Sequence, residues 1–234
     1  MWKLISTSAR AAGPSPLYTW VSEAGRVELS GTTFLNGVSK AANMLRDGLD
    51  INAGDDVYID LGNHWQSPVW IAAGLSTQAR LVISPLHALA IVAKETLDYL
   101  GNSRDIVVIS RDPFGMPEKY LDSSVINGSQ EVRGFADVFS PMGEYASDDV
   151  LFNDAATNVT SMEFRARADQ LITQHGISSG SRIAISEKSD LITRALWQVV
   201  VPAITQSSVV LLDGTTDFAK ICSDEQVDHL IDID

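Results

Sequence analysis

The stretch Ile51-Asn-Ala-Gly-Asp-Asp-Val-Tyr-Ile-Asp-Leu61 decides the fold, because a glycine turn leads there into a short apolar run. Val57–Leu61 is typical of a buried strand. Ser67-Pro68 then provides a helix start, with serine as the cap and proline in the first turn, and an apolar helix is predicted over 69–77. Leu81–Ser84 is the next buried strand. Because parallel strands need a crossover of roughly a dozen or more residues, this alternation predicts parallel pairing.

The same alternation extends outward on both sides of this unit. A helix with one apolar face at 3.6-residue spacing is predicted over 33–47, before the turn. A third helix is predicted over 88–100, followed by a strand over 106–110. The segment 111–148 is rich in proline and glycine. It predicts a long irregular connection with one strand near 136–139.

After the irregular segment, the alternation of strands and helices resumes. A capping-box signature, Thr160-Ser-Met-Glu163, opens the next long helix, because the threonine hydroxyl and the glutamate carboxylate each satisfy a free backbone donor. The predicted order is strand 150–152, helix 161–174, strand 182–186, helix 190–204, strand 209–212, helix 217–222 and strand 229–233. The later part of the chain therefore has the same general architecture as the earlier part.

The two parts also align with each other when residues 35–60 are laid over 161–186. The identical pairs are Ala42/Ala168, Leu45/Leu171, Ile51/Ile177, Gly54/Gly180 and Ile59/Ile185. The predicted fold is α/β, with two doubly wound, mainly parallel Rossmann-like halves and a small N-terminal hairpin. The halves are 1–110 and 149–234, which 111–148 joins into one compact domain. Either internal duplication or the generic similarity of helix–turn–strand units would explain the alignment.

Charge and composition exclude several classes of partner. The 234-residue chain has 30 acidic and 17 basic side chains and a formal net charge of −13. Nucleic acids and anionic membranes attract basic surfaces, so neither is an expected partner. Cys222 is the only cysteine, which excludes an intrachain disulfide and favours a cytoplasmic location. We recognise no signal peptide and no apolar run of membrane-spanning length.

Three segments carry a resemblance to a known enzyme superfamily: Thr33–Leu45, Ile51–Ile59 and Ala79–Leu86. An Ala-Asn-x-Leu helix, a Gly-Asp-x-Val turn with its strand, and a strand closed by Pro-Leu resemble the N-terminal region of AMP-forming adenylating enzymes, which include the acyl-CoA synthetases. Tyr18–Trp20 and Arg26–Leu29 fit the hairpin that precedes the helix. More narrowly, nearly the whole chain, including Asp112-Pro-Phe-Gly115 and Glu131-Val-Arg133 in the irregular segment, resembles a family of short bacterial relatives of these enzymes whose function is unknown.

That resemblance implies a phosphate-binding loop, and this sequence departs from it. In the superfamily, glycines let backbone amides close around a triphosphate, and a lysine neutralises its charge. The corresponding segment, Asn153–Ser161, has no glycine and no lysine. Asp154 would instead place a carboxylate beside the anion, which is unfavourable. Asp154, Thr157 and Asn158 are candidate residues of a remnant ligand cleft, and ATP or AMP is disfavoured as a cofactor.

A second set of candidate cleft residues follows the strand that ends at Leu61. Open α/β sheets bind ligands beyond the carboxyl ends of their strands, so Asn63, His64 and Trp65 are candidates for lining the cleft. A structural role at the strand end is the alternative. No catalytic residue is assigned and no metal site is expected, because the carboxylates and imidazole of the terminal run follow the period of a strand.

Two functions stay open at the level of sequence. The first is an adenylating-enzyme-like pseudoenzyme that binds a small ligand or a protein partner in the remnant cleft. The second is an AMP-forming, acyl-CoA synthetase-like ligase or nucleotide binder that uses replaced contacts. A homodimer is also expected, because the part of the superfamily's large domain that lies beyond the resemblance would otherwise cover the far side of the sheet.

Overall fold

The computed structural model describes residues 1–153, 157–186, 190–214 and 217–232. Within these ranges the strands are β1 (Pro16–Ser22), β2 (Gly25–Ser30), β3 (Asp56–Asp60), β4 (Arg80–Val82), β5 (Leu89–Val92), β6 (Asp105–Val108), β7 (Ile126–Asn127), β8 (Val150–Asn153), β9 (Asn158–Thr160), β10 (Arg182–Ile185), β11 (Ser208–Asp213) and β12 (His229–Ile231). They form two sheets, one of five strands and one of seven.

The α-helices of the same ranges are α1 (Trp2–Ala12), α2 (Gly31–Asn43), α3 (Ser67–Ser76), α4 (Gly128–Glu131), α5 (Ser161–His175), α6 (Leu191–Ala195), α7 (Val201–Thr205) and α8 (Phe218–Asp224). A π-helical turn, Met44–Gly48, extends α2, and a second one, Leu196–Val200, joins α6 to α7. Two 3₁₀ helices cover Lys94–Tyr99 and Val132–Gly134. The helices predicted over 33–47 and 190–204 are thereby confirmed, as is the capping box that opens α5.

Both sheets are mainly parallel, as the alternation predicted. The five-stranded sheet has the order β12-β10-β11-β1-β2, in which only β1 and β2 pair antiparallel. The seven-stranded sheet has the order β7-β6-β5-β3-β4-β8-β9, in which only β8 and β9 pair antiparallel. The α/β class and the N-terminal hairpin are confirmed.

One face of each sheet packs on the same central helices. The main core joins apolar residues of α2, α3 and the second π-helical turn to inward-facing residues of both sheets. Every residue of α3 is buried, which confirms that this apolar helix lies between packed layers. The opposite sheet faces carry two smaller clusters, one beside the first 3₁₀ helix and one beneath α8. This layering brings the carboxyl ends of β3, β10 and β11 close together.

The helix predicted over 88–100 is wrong. Leu89–Val92 is instead the fully buried strand β5, which lies between β3 and β6, and a 3₁₀ helix follows it. A short continuous apolar run has no periodicity that separates a buried strand from a buried helix. Burial on both faces of the sheet decided the outcome here.

Two smaller predictions also differ from the structure. The cap residue of α3 is Gln66 rather than Ser67, and no side chain caps this helix, because the Ser67 hydroxyl donates to the side chain of Gln198 at 2.8 Å. The strand predicted near 136–139 is irregular chain. Asn43 donates to the carbonyls of Ala136 and Val138, so a side chain replaces the expected strand partner. The structure also adds α1, which was not predicted.

Strand pairing crosses the two predicted halves. The hairpin β1–β2, from the first half, extends the sheet of β10 and β11. Strand β8, from the second half, pairs with β4 of the first. The orders β5-β3-β4 and β12-β10-β11 are nevertheless equivalent, with the first strand of each unit in the middle. Internal duplication stays a prediction beside that similarity.

Within the described ranges, no helix combines the length and apolar character needed to span a bilayer. The described histidine, cysteine, aspartate and glutamate side chains also include no group of three or more placed to hold a metal ion.

Candidate functional site

Asn63 connects the carboxyl ends of the two sheets. It lies in the loop after β3, where its Nδ2 donates to the carbonyl of Ile185 at 2.8 Å and to the carbonyl of Leu212 at 2.8 Å. Its Oδ1 accepts from Nε2 of Gln198 at 2.8 Å. The side chains of Asn63 and Gln198 are both buried. A fully satisfied buried amide of this kind fixes the distance between the sheets.

Gln198 extends the same network into the central helix layer. It lies in the second π-helical turn and is fully buried. Its Oε1 accepts from the Ser67 hydroxyl, and its backbone carbonyl accepts from the Tyr18 hydroxyl at 2.7 Å. Burial raises the pKa of Tyr18, so this hydroxyl stays a hydrogen-bond donor. The network therefore ties β1, α3 and the π-helical turn to the loop after β3.

His64 is neutral and enclosed. Burial, and secondly the positive charge of Arg111, lower the pKa of His64 to about 3; the main chain of Arg111 and the carboxylate of Asp112 favour the protonated form less strongly. Its Nδ1 accepts from the backbone of Gln66 at 3.4 Å, which assigns the proton to Nε2. Within the described residues Nε2 has no hydrogen-bond partner. The ring packs edge-on against Trp20, so it is placed as a core residue.

Asp213, at the end of β11, is a buried carboxylate at the centre of an ionic cluster. Its Oδ2 accepts from Nη2 of Arg111 at 2.5 Å and from Nε1 of Trp20 at 2.9 Å. A second ion pair across the sheets joins Nη1 of Arg194 to Oδ1 of Asp60 at 3.2 Å. The buried side chains of Asp213 and Arg194 thus each have a partly exposed ionic partner, although Nε of Arg194 is buried without a partner in the described chain. Ion pairs and hydrogen bonds therefore cross the carboxyl edge between the sheets.

The predicted residues of the phosphate-loop segment lie apart from that cluster. Thr157 and Asn158 are exposed and lie at the start of β9, on the edge of the seven-stranded sheet. Oδ1 of Asn158 accepts from Nδ2 of Asn153 at 2.6 Å. Asp154 lies outside the described residues. The structure thus does not bring Thr157 and Asn158 together with Asn63 or His64.

Trp65, another of the predicted cleft residues, lines a cavity of the described structure. This cavity measures about 310 Å³ and lies between α2, α3 and the second 3₁₀ helix. Its apolar wall includes Trp65, Val69, Trp70 and Ala41, and among the described residues that line it only Lys40 is charged. The indole Nε1 of Trp65 is buried without an acceptor in the described chain. The size is typical of a site for a small organic ligand.

The sequence did not single out the charged residues at the carboxyl edge. Asp60 and Asp213 are the last residues of parallel strands, and Arg111 lies three residues after β6. The rule that selected His64, that ligands and polar groups gather beyond strand carboxyl ends, would have selected them too if it had been applied to every strand. Gln198 and Arg194 have no such signal, because they come from a central helix whose neighbours depend on the packing of both sheets.

The fold is that of the acyl-CoA synthetases. An acyl-CoA synthetase from Brucella canis superposes with a TM-score of 0.79 at 16% identity, over 97% of this chain and 47% of the synthetase. The fatty acyl CoA synthetase of Mycobacterium tuberculosis gives 0.73 at 14% identity, over 97% and 47%. The acetoacetyl-CoA synthetase of Streptomyces lividans gives 0.76 at 14% identity, over 99% and 42%. At these identities the likeness establishes the fold.

By sequence, the chain is 32% identical over 152 residues to a TIGR03089 family protein of Mycobacterium tuberculosis. The matched segment covers 59% of this chain and 61% of that protein. No family model matches the chain. The chain thus spans somewhat under half of the solved synthetases it superposes on and about three fifths of this curated relative.

Proposed function

We propose that this protein binds a small apolar carboxylate in the cavity beside Trp65 and does not convert it into an acyl-adenylate. The observation that carries the proposal is an apolar cavity of about 310 Å³ in which Lys40 is the single charged residue among the described lining residues. An apolar wall favours a hydrocarbon group, and a lysine at its margin favours a carboxylate. One solved relative is named for fatty acyl groups, which are of this chemical class.

The position of Lys40 supports a charged end group at the margin of the cavity. Its Nζ donates to the carbonyl of Phe135 at 2.9 Å and lies 3.4 Å from the carbonyl of Arg133. These bonds hold the ammonium near the wall formed by Val132. An ammonium has three donors, so one donor is left for a carboxylate.

Two features argue against adenylation. Residues 153–161 contain no glycine and no lysine, and so lack the groups with which a phosphate loop neutralises a triphosphate. At the carboxyl edge, Asp213 is engaged by Arg111 and Trp20. Releasing Arg111 for a phosphate would leave the carboxylate of Asp213 buried and unpaired, which is costly.

The test is a titration of the full chain with hexanoate and with 1-hexanol, followed by tryptophan fluorescence, since Trp65 and Trp70 line the cavity. We expect saturable binding of hexanoate and weaker binding of hexanol. Lys40→Met should weaken hexanoate binding about fivefold, because an exposed ion pair contributes up to about 1 kcal/mol. Hexanol binding should not change. The matched control, Lys220→Met, replaces an exposed lysine elsewhere and should leave both affinities unchanged.

A second assay addresses the absence of adenylation. With ATP, Mg²⁺ and hexanoate, exchange of pyrophosphate into ATP should stay at background. Exchange above background, or micromolar ATP binding that Thr157→Val abolishes, would instead support the nucleotide-binding alternative. If wild type and Lys40→Met each bound hexanoate and hexanol with equal affinity, the proposal that Lys40 binds a carboxylate would be wrong.

A further inference from the structure

A second cavity, of about 650 Å³, is lined by residues of the π-helical turn Met44–Gly48 and of the segment 118–135, and it shares no lining residue with the cavity beside Trp65. Its apolar wall includes Met44, Leu49, Ile126 and Phe135, and its polar margin includes Glu118 and Glu131. The volume is within the range of small-molecule sites, in which an apolar wall and a few polar groups are combined. We propose that this cavity binds an organic cation, namely a primary amine with a short apolar chain.

The charges of the lining side chains favour a positively charged ligand. Three carboxylates line the cavity, those of Glu118, Asp122 and Glu131, and none of the described lining residues is basic. Lys94 approaches Glu118 from outside the lining, with Nζ 3.7 Å from Oε2, and so offsets part of one charge. The other two carboxylates have no basic partner within 4.0 Å in the described chain. A protein with a net charge of −13 adds to this attraction for a cation.

The apolar wall decides the rest of the ligand. Phe135 lines the cavity, and the tip of its ring lies directly against the backbone at Gly48, where a Cβ would come within 2.6 Å of Cζ. Tyr120 also lines the cavity and its side chain is almost fully exposed. Aromatic faces attract ammonium groups, and the aliphatic wall favours a hydrocarbon chain. A metal ion would use neither group.

One further lining residue has unused hydrogen-bonding capacity. Nδ2 of Asn127 donates to the carbonyl of Glu118 at 2.9 Å, which fixes the orientation of the amide. Its Oδ1 is buried and has no partner in the described chain. A buried acceptor without a donor is costly, and an ammonium that reached it would remove that cost. This is an independent reason to expect a donor ligand rather than an acceptor.

Methionine methyl groups provide the readout. The chain has five methionines; Met44 lines the cavity and is buried, whereas Met142 and Met162 are exposed elsewhere. Full-length protein labelled at the methionine methyl carbons is titrated with n-hexylammonium and, separately, with the neutral 1-hexanol. We expect the Met44 resonance to shift saturably with hexylammonium, with an affinity at least about fivefold above that for hexanol. Met142 and Met162 should not move, and their unchanged positions report an intact fold.

Charge-neutral variants test the assignment of the rim. Glu131→Gln should weaken hexylammonium binding about threefold, and Glu118→Gln combined with Glu131→Gln about tenfold, with hexanol unchanged. Glu23→Gln, at an exposed glutamate of the β1–β2 turn, is the matched control and should have no effect. Equal affinity for amine and alcohol, no shift of Met44, or an affinity that the rim variants leave unchanged would each overturn the proposal. None of these outcomes depends on whether hexanoate binds beside Trp65.

Discussion

Asn63 lies between the two sheets, and its hydrogen bonds contribute to the stability of the folded protein. Asn63→Ala would remove three hydrogen bonds and leave the carbonyls of Ile185 and Leu212 without this donor. Because a buried polar group without a partner costs about 1–3 kcal/mol, we expect a loss of about 3 kcal/mol in the free energy of unfolding. Urea denaturation measures it. Asn102→Ala, at an exposed position, is the control and should stay within about 0.5 kcal/mol of wild type. An equally small change in both variants would contradict the assigned role.

His64 makes a prediction about pH. Its pKa falls to about 3 in the folded protein, first through burial and then through the charge of Arg111, whereas an unfolded histidine has a pKa near 6.5. The unfolded chain therefore binds the extra proton as pH falls below about 6.5, and this group's contribution to stability is lost towards pH 3. Between pH 6 and pH 5 we expect it to lower the free energy of unfolding by about 1 kcal/mol. His64→Gln should show a shallower pH dependence in urea denaturation.

The exposed His87 provides the matched control for that measurement. It has a positive φ of 62°, so asparagine is the replacement that its backbone tolerates best. His87→Asn should retain the wild-type slope between pH 6 and pH 5. If His64→Gln kept that slope as well, the depressed pKa of His64 would be wrong.

At the scale of helices, the docking of α1 depends on a residue without a side chain. A Cβ at Gly31 would overlap the carbonyl oxygen of Ala9 and lie 2.8 Å from Cβ of Ala12. Gly31→Ala must therefore push α1 away from α2, at a cost of about 1–3 kcal/mol in the free energy of unfolding. Gly134→Ala has open space around it and should change stability little. Urea denaturation compares the two, and equal effects would show that α1 adapts freely.

Some helices and strands can be predicted from local sequence signals, and others cannot. The helix–turn–strand units around 51–61 and 177–185 follow from local signals, namely an apolar face, a glycine turn and a short apolar run. The strand β5 does not, because its neighbours β3 and β6 determine that its apolar run is extended. The sequence indicated Trp65 only through its position after a strand. The other walls of the cavity come from α2 and a 3₁₀ helix, and no local sequence pattern connects these elements to Trp65.

On the scale of the whole molecule, the exchange of strands makes the two sheets one folding unit. The β1–β2 hairpin completes the sheet of β10 and β11, and β8 extends the sheet of β3 and β4. A single main core runs through both sheets and the helices between them. Neither predicted half thus holds all the strands of one sheet. The sequence could not show that strands pair across the two halves, because a strand in a parallel sheet carries no local signal of its partner.

The parallel pairing of β1 with β11 has a consequence for synthesis of the chain. Tyr18 lies opposite Val209, about 190 residues later. At roughly 5–20 residues per second, a ribosome needs on the order of 10–40 s to deliver the partner strand. During that interval one edge of the nascent hairpin is unpaired while it carries Leu17, Tyr18 and Trp20, all buried in the finished protein. These apolar side chains therefore lack their final packing partners on the nascent chain until β11 has been synthesised.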